Sequence, residues 1–393
     1  MSTGPLPPGA WLGVLGGGQL GRMFAQAAQR LGYRVLVLDP ARDGPDGQVA
    51  DDQIVAAYDN TAALADLASR CAACTTEFES VPAGSLAYLA SCGLPVSPPA
   101  SALAVCQHRA REKALFAAQG VPCAPWALVD SPASLAQAQS GELFPGILKT
   151  ATLGYDGKGQ VSVARPDDLP QAWEALRGQP CVLERRLPLA VEISVIVARG
   201  HDGHSQVLSL QQNQHRDGIL AVTQWPAPAV SPELAQEAAG HAHTLVGAMG
   251  YVGVLCVEFF VLGDGRLVAN EMAPRPHNSG HASIDACDSS QFDAQVRVLA
   301  RLPLRAPQQH SAAVMLNLLG DLWWPAGQPD NAPREPDWQA VVGLPGVHLH
   351  LYGKAEARPG RKMGHLTVTA PTLPQAQDVA RQVARHLGLP AMA

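Results

Sequence analysis

Two glutamates in the second half of the chain have the spacing of a paired metal site. Glu258 and Glu271 lie in apolar runs on either side of the turn Gly263-Asp-Gly-Arg266. If the central Asp-Gly forms a two-residue type I′ turn, Gly263 faces Arg266 and, counting outward, Glu258 faces Glu271. Opposed like charges destabilise a sheet, so the pairing predicts a neutralising cation. Carboxylate oxygens suit Mg²⁺, which also binds phosphates. The simpler alternative is a pair of solvated acids on an open sheet face.

Two glycine-rich segments have the residue types that bind phosphate groups. Gly16-x-Gly18-x-x-Gly21 follows an apolar strand and opens a helical pattern, and Asp39 ends the next strand. This pattern offers backbone N–H groups at a helix N-terminus. A dinucleotide, another phosphate-bearing ligand and a structural turn all remain open for it.

The second segment, Gly154-Tyr-Asp-Gly-Lys-Gly159, lies between two predicted strands and follows Lys149. No Ser or Thr follows Lys158, so it is not a Walker A loop. We predict a flexible hairpin lid whose lysines neutralise a polyphosphate, with an ordinary surface hairpin as the alternative.

Further charged side chains cluster in three short segments. Arg275 and His277 follow Glu271 directly and suit an anionic substrate, although such a loop is also common as plain structure. The basic loop with Lys354 and Arg361 suggests an anion site in a chain of net charge −6, and a solvated loop is the alternative. Glu77 lies at the end of a strand, where open α/β sheets bind ligands. It could therefore contact a ligand, and the alternative is that it binds none.

The composition bounds the kind of protein that carries these residues. The chain has 393 residues, 47% of them hydrophobic, which predicts two or three folded domains. Its acidity argues against a general nucleic-acid or membrane-surface binder. The most apolar run, 251–262, is too short to span a membrane and contains Glu258. With no signal peptide visible and scattered cysteines, we predict a cytoplasmic protein with reduced thiols.

The periodicities predict the elements that position the candidate residues. Strand 11–15, helix 19–31 and strand 34–38 form a βαβ unit, hence a parallel sheet. One helix is predicted over 101–119. Strands are expected at 251–262 and 266–271, a loop at 320–345, and a last helix at 373–387.

Taken together, these motifs resemble the ATP-grasp superfamily and, within it, the 5-(carboxyamino)imidazole ribonucleotide synthase family of de novo purine biosynthesis. The matching strings run in the family's order over nearly the whole chain. They include GGGQLGRM from residue 16, TEFESV from 76, GYDGKGQ from 154, HRDGIL from 215, NEMAPRPHNSGH from 270 and YGKAEARPGRKMGHL from 352. The NEMAPRPHNSGH string is highly specific, whereas GGGQLG alone is weak.

The resemblance implies an α/β and α+β fold in three domains. These are a Rossmann-like domain at 1–100, an ATP-grasp domain at 101–305 with a mobile lid at about 123–187, and a small C-terminal domain at 306–393. The implied reaction converts ATP, bicarbonate and 5-aminoimidazole ribonucleotide into the N-carboxylated ribonucleotide, ADP and phosphate, through carboxyphosphate. The implied cofactors are ATP with Mg²⁺ or Mn²⁺, and the implied assembly is a homodimer.

The resemblance also assigns roles to residues at the matching positions. Glu258 and Glu271 correspond to the metal ligands, and Arg275, His277 and Lys158 to catalytic residues. The ribonucleotide-binding positions are Gln19, Leu20, Glu77, Lys354 and Arg361. The ATP-binding positions are Arg109, Lys149, Gly154, Tyr155, Asp156, Gly157, Lys158, Gly159, Gln160, Glu184, Arg185, Arg186, Leu187, Glu192, His215, Asn270 and Glu271.

Three other functions remain as alternatives. An NAD-dependent dehydrogenase would use the Gly16 turn and Asp39 but would leave the glutamate pair without a role. Another ATP-grasp carboxylase or a formyl-transfer ligase would share the ATP site, and a biotin substrate would have no phosphate for Lys354 and Arg361. A non-catalytic relative would not need both carboxylates.

Overall fold

The computed structural model describes residues 4–152, 159–324 and 333–392. Within these ranges no helix is long and apolar enough to cross a membrane. Three sheets organise the chain, with five, four and eight strands.

The N-terminal sheet is parallel, with strand order β3-β2-β1-β4-β5. Its strands β1 and β2 are apolar on both faces and are buried, as is usual in a sheet covered on both sides by helices. The predicted βαβ unit is confirmed. The elements are β1 Trp11–Leu15, α1 Gln19–Arg30, β2 Arg34–Asp39, β3 Asp52–Val55, α2 Thr61–Arg70, β4 Ala73–Thr76, α3 Ala83–Ser91 and β5 Val96–Ser97.

The single helix predicted over 101–119 is wrong, because two helices occupy this segment. They are α4 Ala100–Cys106 and α5 Arg109–Ala118. His108 between them has extended backbone, and the Gln107 side chain donates to the carbonyls of Glu79 and Val81 at 2.7 and 2.6 Å. The break makes Arg109 the first residue of α5, where its N–H donates to the Ala151 carbonyl (2.9 Å).

A four-stranded antiparallel sheet follows, in the order β6-β9-β7-β8. Two helices cover one face, burying Leu148, Leu183 and Ala172 among other side chains. The elements are β6 Trp126–Val129, α6 Pro132–Gln139, β7 Gly146–Thr150, β8 Gln160–Val163, α7 Leu169–Ala175 and β9 Cys181–Arg185.

The eight-stranded sheet runs through both the central and the C-terminal parts of the chain. Its order is β14-β13-β10-β11-β12-β15-β17-β16, and β12 pairs directly with β15. The C-terminal part therefore extends the central sheet instead of forming a sheet of its own. The strands are β10 Leu189–Arg199, β11 Ser205–Arg216, β12 Ile219–Trp225, β13 Gly253–Leu262, β14 Leu267–Ala273, β15 Ala312–Leu319, β16 Val347–Leu351 and β17 Lys362–Ala370.

The remaining helices pack against this large sheet and its connections. They are α8 Pro232–Ala248, α9 Ser283–Ala286, α10 Gln291–Leu299, α11 Gln339–Val342 and α12 Leu373–Leu387. Helix α12 has the predicted bounds and ends at Gly388, whose φ of +68° suits a glycine at a helix C-terminus. Helix α11 lies inside the predicted loop 320–345, so that prediction is wrong for these four residues.

Candidate active site

A cavity of about 860 Å³ lies between the four-stranded and eight-stranded sheets. This volume is in the range of sites for small ligands and cofactors. Many of the residues predicted for ATP, metal and catalysis line it, namely Arg109, Lys149, Gln160, Glu184, Arg185, Arg186, Leu187, Glu192, His215, Glu258, Asn270, Glu271, Arg275 and His277. The fold thus gathers side chains from positions 109 to 277 around one space.

Glu258 and Glu271 are cross-strand neighbours, as predicted, but the predicted turn is wrong. The Leu262 N–H donates to the Arg266 carbonyl (2.9 Å), so the turn has three residues and Gly265 has a φ of +86°. This longer turn shifts the pairing by one residue. A β-bulge then restores it, because Phe259 faces Ala269 while Glu258 faces Glu271.

The bulge leaves Asn270 as the extra residue of β14. Asn270, Glu271 and Glu258 all line the cavity, since a bulge redirects side chains that simple alternation would point to opposite faces. No part of the described chain gives the buried Asn270 Oδ1 a hydrogen-bond partner. Two carboxylates and an unsatisfied amide oxygen form an all-oxygen donor set of the kind that Mg²⁺ prefers. The residues present therefore fit the predicted metal.

The surrounding charges give the two glutamates different pKa values. Burial and Glu271 raise the pKa of Glu258 to about 7. The low-dielectric walls alone would raise the pKa of Glu271, but Arg109 and Lys149 lower it to about 2. Arg109 Nη1 lies 2.8 Å from a Glu271 oxygen, whereas the basic group paired with Glu258 among the described residues is His277, whose Nε2 lies at 3.3 Å. A cation at this pair would favour the ionised form of Glu258.

Two lysines flank a second buried glutamate, Glu184, beside the cavity. Lys149 Nζ lies 3.1 Å and Lys113 Nζ 3.4 Å from the two oxygens of Glu184. Burial alone would raise the pKa of Glu184, but the two lysines lower it. Glu184 is 5% exposed and stays ionised, so it holds both ammonium groups beside the cavity.

The segment after Glu184 forms part of an apolar compartment. Strand β9 ends at Arg185, so the predicted ATP-binding segment 184–187 is half strand and half loop. The N–H groups of Arg185 and Arg186 donate to the carbonyls of Pro125 and Pro145, both at 2.9 Å. Apolar side chains complete this wall: Ala124, Ile147, Leu187, Leu220, Phe260 and Met272.

Arg275 and His277 also line the cavity, and each is fixed by a hydrogen bond. Arg275 Nε donates to Glu79 Oε2 (2.5 Å), which joins the loop after β14 to the N-terminal sheet. His277 Nδ1 contacts Ser279 Oγ at 2.8 Å. On the large sheet, His215 contacts Glu192, and both face the cavity.

Gly159 is placed beside strand β8 but is not part of the cavity wall. It has a φ of +71°, and its carbonyl accepts from the Thr150 N–H (2.9 Å). The predicted lid residues Gly154, Tyr155, Asp156, Gly157 and Lys158 lie outside the described residues.

The five residues predicted to bind the ribonucleotide are not part of this cavity wall. Gln19 and Leu20 begin α1, and Glu77 follows β4 two residues before the cavity-lining Glu79. Lys354 Nζ donates to the Lys362 carbonyl (2.6 Å), and Arg361 Nη1 donates to the Glu356 carbonyl (2.7 Å). Glu77 and Lys354 are thus connected to the cavity-lining residues Glu79 and Lys362, and none of the five residues lines the cavity itself.

The predicted phosphate-binding turn at Gly16–Gly21 has protein carboxylates on its N–H groups. Gly18 and Gly21 donate to the two oxygens of Glu77, at 2.7 and 2.9 Å. Gly17 donates to Asp39 (2.7 Å), which also accepts from the Tyr58 hydroxyl. A dinucleotide would need these same groups. The described geometry therefore does not favour the dehydrogenase alternative.

Comparison with known proteins matches all three parts of the chain. Family models match as a ribonucleotide synthetase preATP-grasp domain at 10–107, an ATP-grasp domain at 114–292 and a phosphoribosylaminoimidazole carboxylase C-terminal domain at 313–379. N5-carboxyaminoimidazole ribonucleotide synthase of Brucella melitensis is 45% identical over 94% of this chain and 99% of its own length. The chain belongs to the N5-carboxyaminoimidazole ribonucleotide synthase family.

Solved structures agree with this family assignment and confirm the predicted fold class. An ADP complex of N5-carboxyaminoimidazole ribonucleotide synthetase superposes with a TM-score of 0.89 at 37% identity, covering 98% of this chain and 99% of that one. The Aspergillus clavatus synthase in complex with ADP and 5-aminoimidazole ribonucleotide gives 0.86 at 33% identity, covering 97% and 99%.

Three charged residues of this synthase family member line the cavity but were not among the predicted site residues. Burial and Glu271 raise the pKa of Glu112 to about 8, and Glu112 accepts from the Met272 N–H. Glu79 pairs with Arg275. Lys362 is near enough to Glu258 and His277 to affect the pKa of both. Two sequence signals favoured Lys362: lysine is scarce, with five in 393 residues, and Lys362 directly follows Arg361 in the basic loop.

Proposed function

We propose that this protein catalyses the ATP-dependent carboxylation of 5-aminoimidazole ribonucleotide to 5-(carboxyamino)imidazole ribonucleotide, as a carbon–nitrogen ligase of purine biosynthesis. The observation that carries the proposal is the single cavity that joins an apolar compartment, the lysines Lys149 and Lys362 and the Glu258–Glu271 pair. Relatives with this name match 94% and 98% of the chain.

The nucleotide would lie with its base in the apolar compartment and its phosphates toward the lysines. Lys149 and Lys113 are held near the cavity by Glu184, so their charges are already positioned before ATP binds. Catalysis of phosphoryl transfer depends mainly on such positioning and on neutralised charge. The predicted ATP contacts at 154–158 would complete this end of the site.

Glu258, Glu271 and Asn270 would hold the metal, for which we infer Mg²⁺ or Mn²⁺. When bound, the ion neutralises phosphate charge, which lets an anionic nucleophile approach. Arg109 keeps Glu271 ionised, so one ligand of the pair is ready at any physiological pH.

Arg275 and His277 would receive bicarbonate and the carboxyphosphate formed from it. Arg275 keeps its guanidinium in place through Glu79, and His277 is oriented by Ser279 and Glu258. Carboxyphosphate hydrolyses readily, so the walls around these residues must exclude water while the carboxyl group moves to the ribonucleotide amine.

The ribonucleotide would bind where the N-terminal and C-terminal parts meet. The Gln48 side chain donates to the Gly353 carbonyl (2.7 Å), so the loop with Lys354 and Arg361 adjoins the region of α1. An arginine fork and a lysine provide several donors for a dianionic phosphate. Gln19, Leu20 and Glu77 would contact the sugar and base from the other side.

The experiment that tests the reaction is ADP release in the presence of Mg²⁺, ATP and bicarbonate, with and without 5-aminoimidazole ribonucleotide. Strong stimulation by the ribonucleotide, with one carboxylated ribonucleotide formed per ADP, is expected. Stimulation by another acceptor alone would favour a different ATP-grasp carboxylase or formyl-transfer ligase.

Arg361→Ala tests the location of the substrate phosphate. Losing one charge-assisted contact should raise the apparent KM for the ribonucleotide about ten- to a hundred-fold and leave the KM for ATP nearly unchanged. Arg358→Ala is the matched control, since Arg358 lies in the same loop, is largely exposed and pairs with Glu356. A shift of the ATP constant instead would move this loop to the nucleotide site.

We also infer the homodimer, the cytoplasmic location and the division at residues 100 and 305. The family resemblance supports all three. Sedimentation velocity at micromolar concentration tests the first, with a mass of twice 41.2 kDa expected.

A further inference from the structure

The side chain of Gln291 pairs with the main chain of His277. Its Oε1 accepts from the His277 N–H at 2.8 Å, and its Nε2 donates to the His277 carbonyl at 2.7 Å. One amide thus satisfies both main-chain polar groups of a single loop residue, as a neighbouring strand would. Gln291 is 1% exposed, so water does not compete for these bonds.

Gln291 is itself held on three sides. It begins α10 after the N-cap Ser290, and its own N–H donates to Ser283 Oγ at 3.1 Å. Gly280 leaves room for it, because a Cβ at that position would lie 2.4 Å from Gln291 Oε1. The amide therefore has one orientation available, and the His277 loop is built against it.

The second N–H of the Gln291 side-chain amide links it, through His281, to the C-terminal strands. Gln291 Nε2 lies 3.1 Å from His281 Nδ1, and because an amide nitrogen only donates, Nδ1 must accept. The buried His281 ring lies 4.7 Å from the ring of His365 on β17, measured between centroids. His365 Nδ1 contacts the Tyr352 hydroxyl at 2.9 Å.

Tyr352 and His365 flank the loop that carries Lys354 and Arg361. The contacts therefore run without a break from His277 to the base of that loop. Gln291 does not line the cavity itself, and within the described ranges its hydrogen bonds reach the cavity wall at His277. Its effect on the reaction would be indirect.

We propose that Gln291 is a positioning residue for His277, and that its contact with His281 holds His277 in register with the loop carrying Lys354 and Arg361. The inference rests on the proposed function, because the placement of His277 matters only if the cavity binds the carboxylation reactants.

The test compares Gln291→Met with Gln295→Met in the full chain. Methionine keeps the length of glutamine and removes its hydrogen bonds. Gln295 lies one turn further along α10, is 6% exposed and donates to Thr75 Oγ1 (3.1 Å), so it is a matched buried control away from His277. Gln291→Met loses three buried side-chain hydrogen bonds and Gln295→Met loses one, so thermal unfolding of each variant measures how much of its effect is a loss of stability.

Gln291→Met should lower kcat for ribonucleotide-dependent ADP release about a hundred-fold, as expected for a displaced reacting group. The KM of Gln291→Met for ATP should stay within about two-fold of the wild-type value. Gln295→Met should keep a kcat within about three-fold of the wild-type value. Equal kcat values for the two variants, or a loss that follows only the thermal midpoint, would overturn the inference.

Two substitutions at His281 keep the inference testable if Gln291→Met does not fold. Asparagine can place its oxygen where Nδ1 lies, whereas leucine cannot accept a hydrogen bond. His281→Asn should therefore retain most of kcat, and His281→Leu should lose about ten-fold more. Equal kcat values in this pair would reject the role of the Gln291–His281 contact. Wild-type protein that does not respond to the ribonucleotide would reject the proposed function instead.

Discussion

The glycine turn at Gly16–Gly21 and the glutamate pair of the large sheet both have the sequence pattern of a ligand site, yet their surroundings are opposite. In the turn, the N–H groups of Gly17, Gly18 and Gly21 already bind carboxylates of the protein. In the sheet, Glu258 and Glu271 face each other and Asn270 Oδ1 lacks a partner within the described ranges. The backbone N–H groups of the turn are therefore already occupied and do not indicate a phosphate site, whereas the oxygens of the sheet pair remain open to a cation.

The largest predicted effect is a loss of turnover when the Glu258–Glu271 pair is disrupted. Glu271→Gln removes one of the paired charges and keeps the shape of the side chain. We expect turnover to fall about a hundred-fold or more, as when a key electrostatic group of a reaction is lost, with little change in stability. ADP release measured across a range of Mg²⁺ concentrations checks this.

Glu237→Gln on the exposed side of α8 is a suitable control for that experiment. Near-wild-type turnover of Glu271→Gln at saturating Mg²⁺ would contradict the assignment of the pair as a metal site.

A smaller effect, a loss of stability, should follow when the contact between Glu77 and the glycine turn is broken. Glu77→Gln leaves one oxygen for two backbone N–H groups and removes a negative charge from the N-terminus of α1. The free energy of unfolding should fall by about 1–3 kcal/mol. Urea denaturation measures it, with the exposed Glu174→Gln as a control. An unchanged midpoint would show that the turn does not need its carboxylate.

The smallest predicted effect is a gain in stability instead of a loss. Asp46 is fully buried beside the same turn, and no described group bonds to either of its oxygens. Burial, Glu77 and Asp39 raise its pKa well above the ordinary 3.8. The unfolded chain releases this proton near pH 4 and the folded chain does not, so Asp46 costs stability increasingly as the pH rises above that value.

Asp46→Ala should therefore stabilise the fold by about 1–2 kcal/mol at pH 7.5, and by less at pH 5. Thermal unfolding at both pH values checks the sign, with exposed Asp59→Ala as the reference. A loss of stability at pH 7.5 would mean that the Asp46 carboxylate has a partner that stabilises its charge.

Local patterns predicted a large part of the fold because each depends on neighbouring residues. Strand β1 and helix α12 have the predicted bounds, since apolar runs and end signals are read within a few residues. The break at Gln107 was missed because its cause is distant, namely the carbonyls of Glu79 and Val81.

The pairing of Glu258 with Glu271 shows the same limit at the site. The prediction reached the right partners through two features that compensate, a turn one residue longer and a bulge at Asn270. Neither the bulge nor the mutual contact of Arg109 and Glu271 has a signal in the local sequence. Lys362 and Gln291 were not assigned roles for the same reason. The site residues that they approach lie on other elements, namely Glu258 for Lys362 and His277 for Gln291.

The sequence by itself determined the residue types, their order and the family resemblance, because these depend on composition and local spacing. The tertiary structure decided which of those residues meet and which are already satisfied. It placed Arg109 on Glu271, Glu77 on the glycine turn and Gln291 on His277. Hydrogen bonds and charge pairs between distant segments form only when the sheets and helices pack, and they fix which polar groups remain available for a ligand.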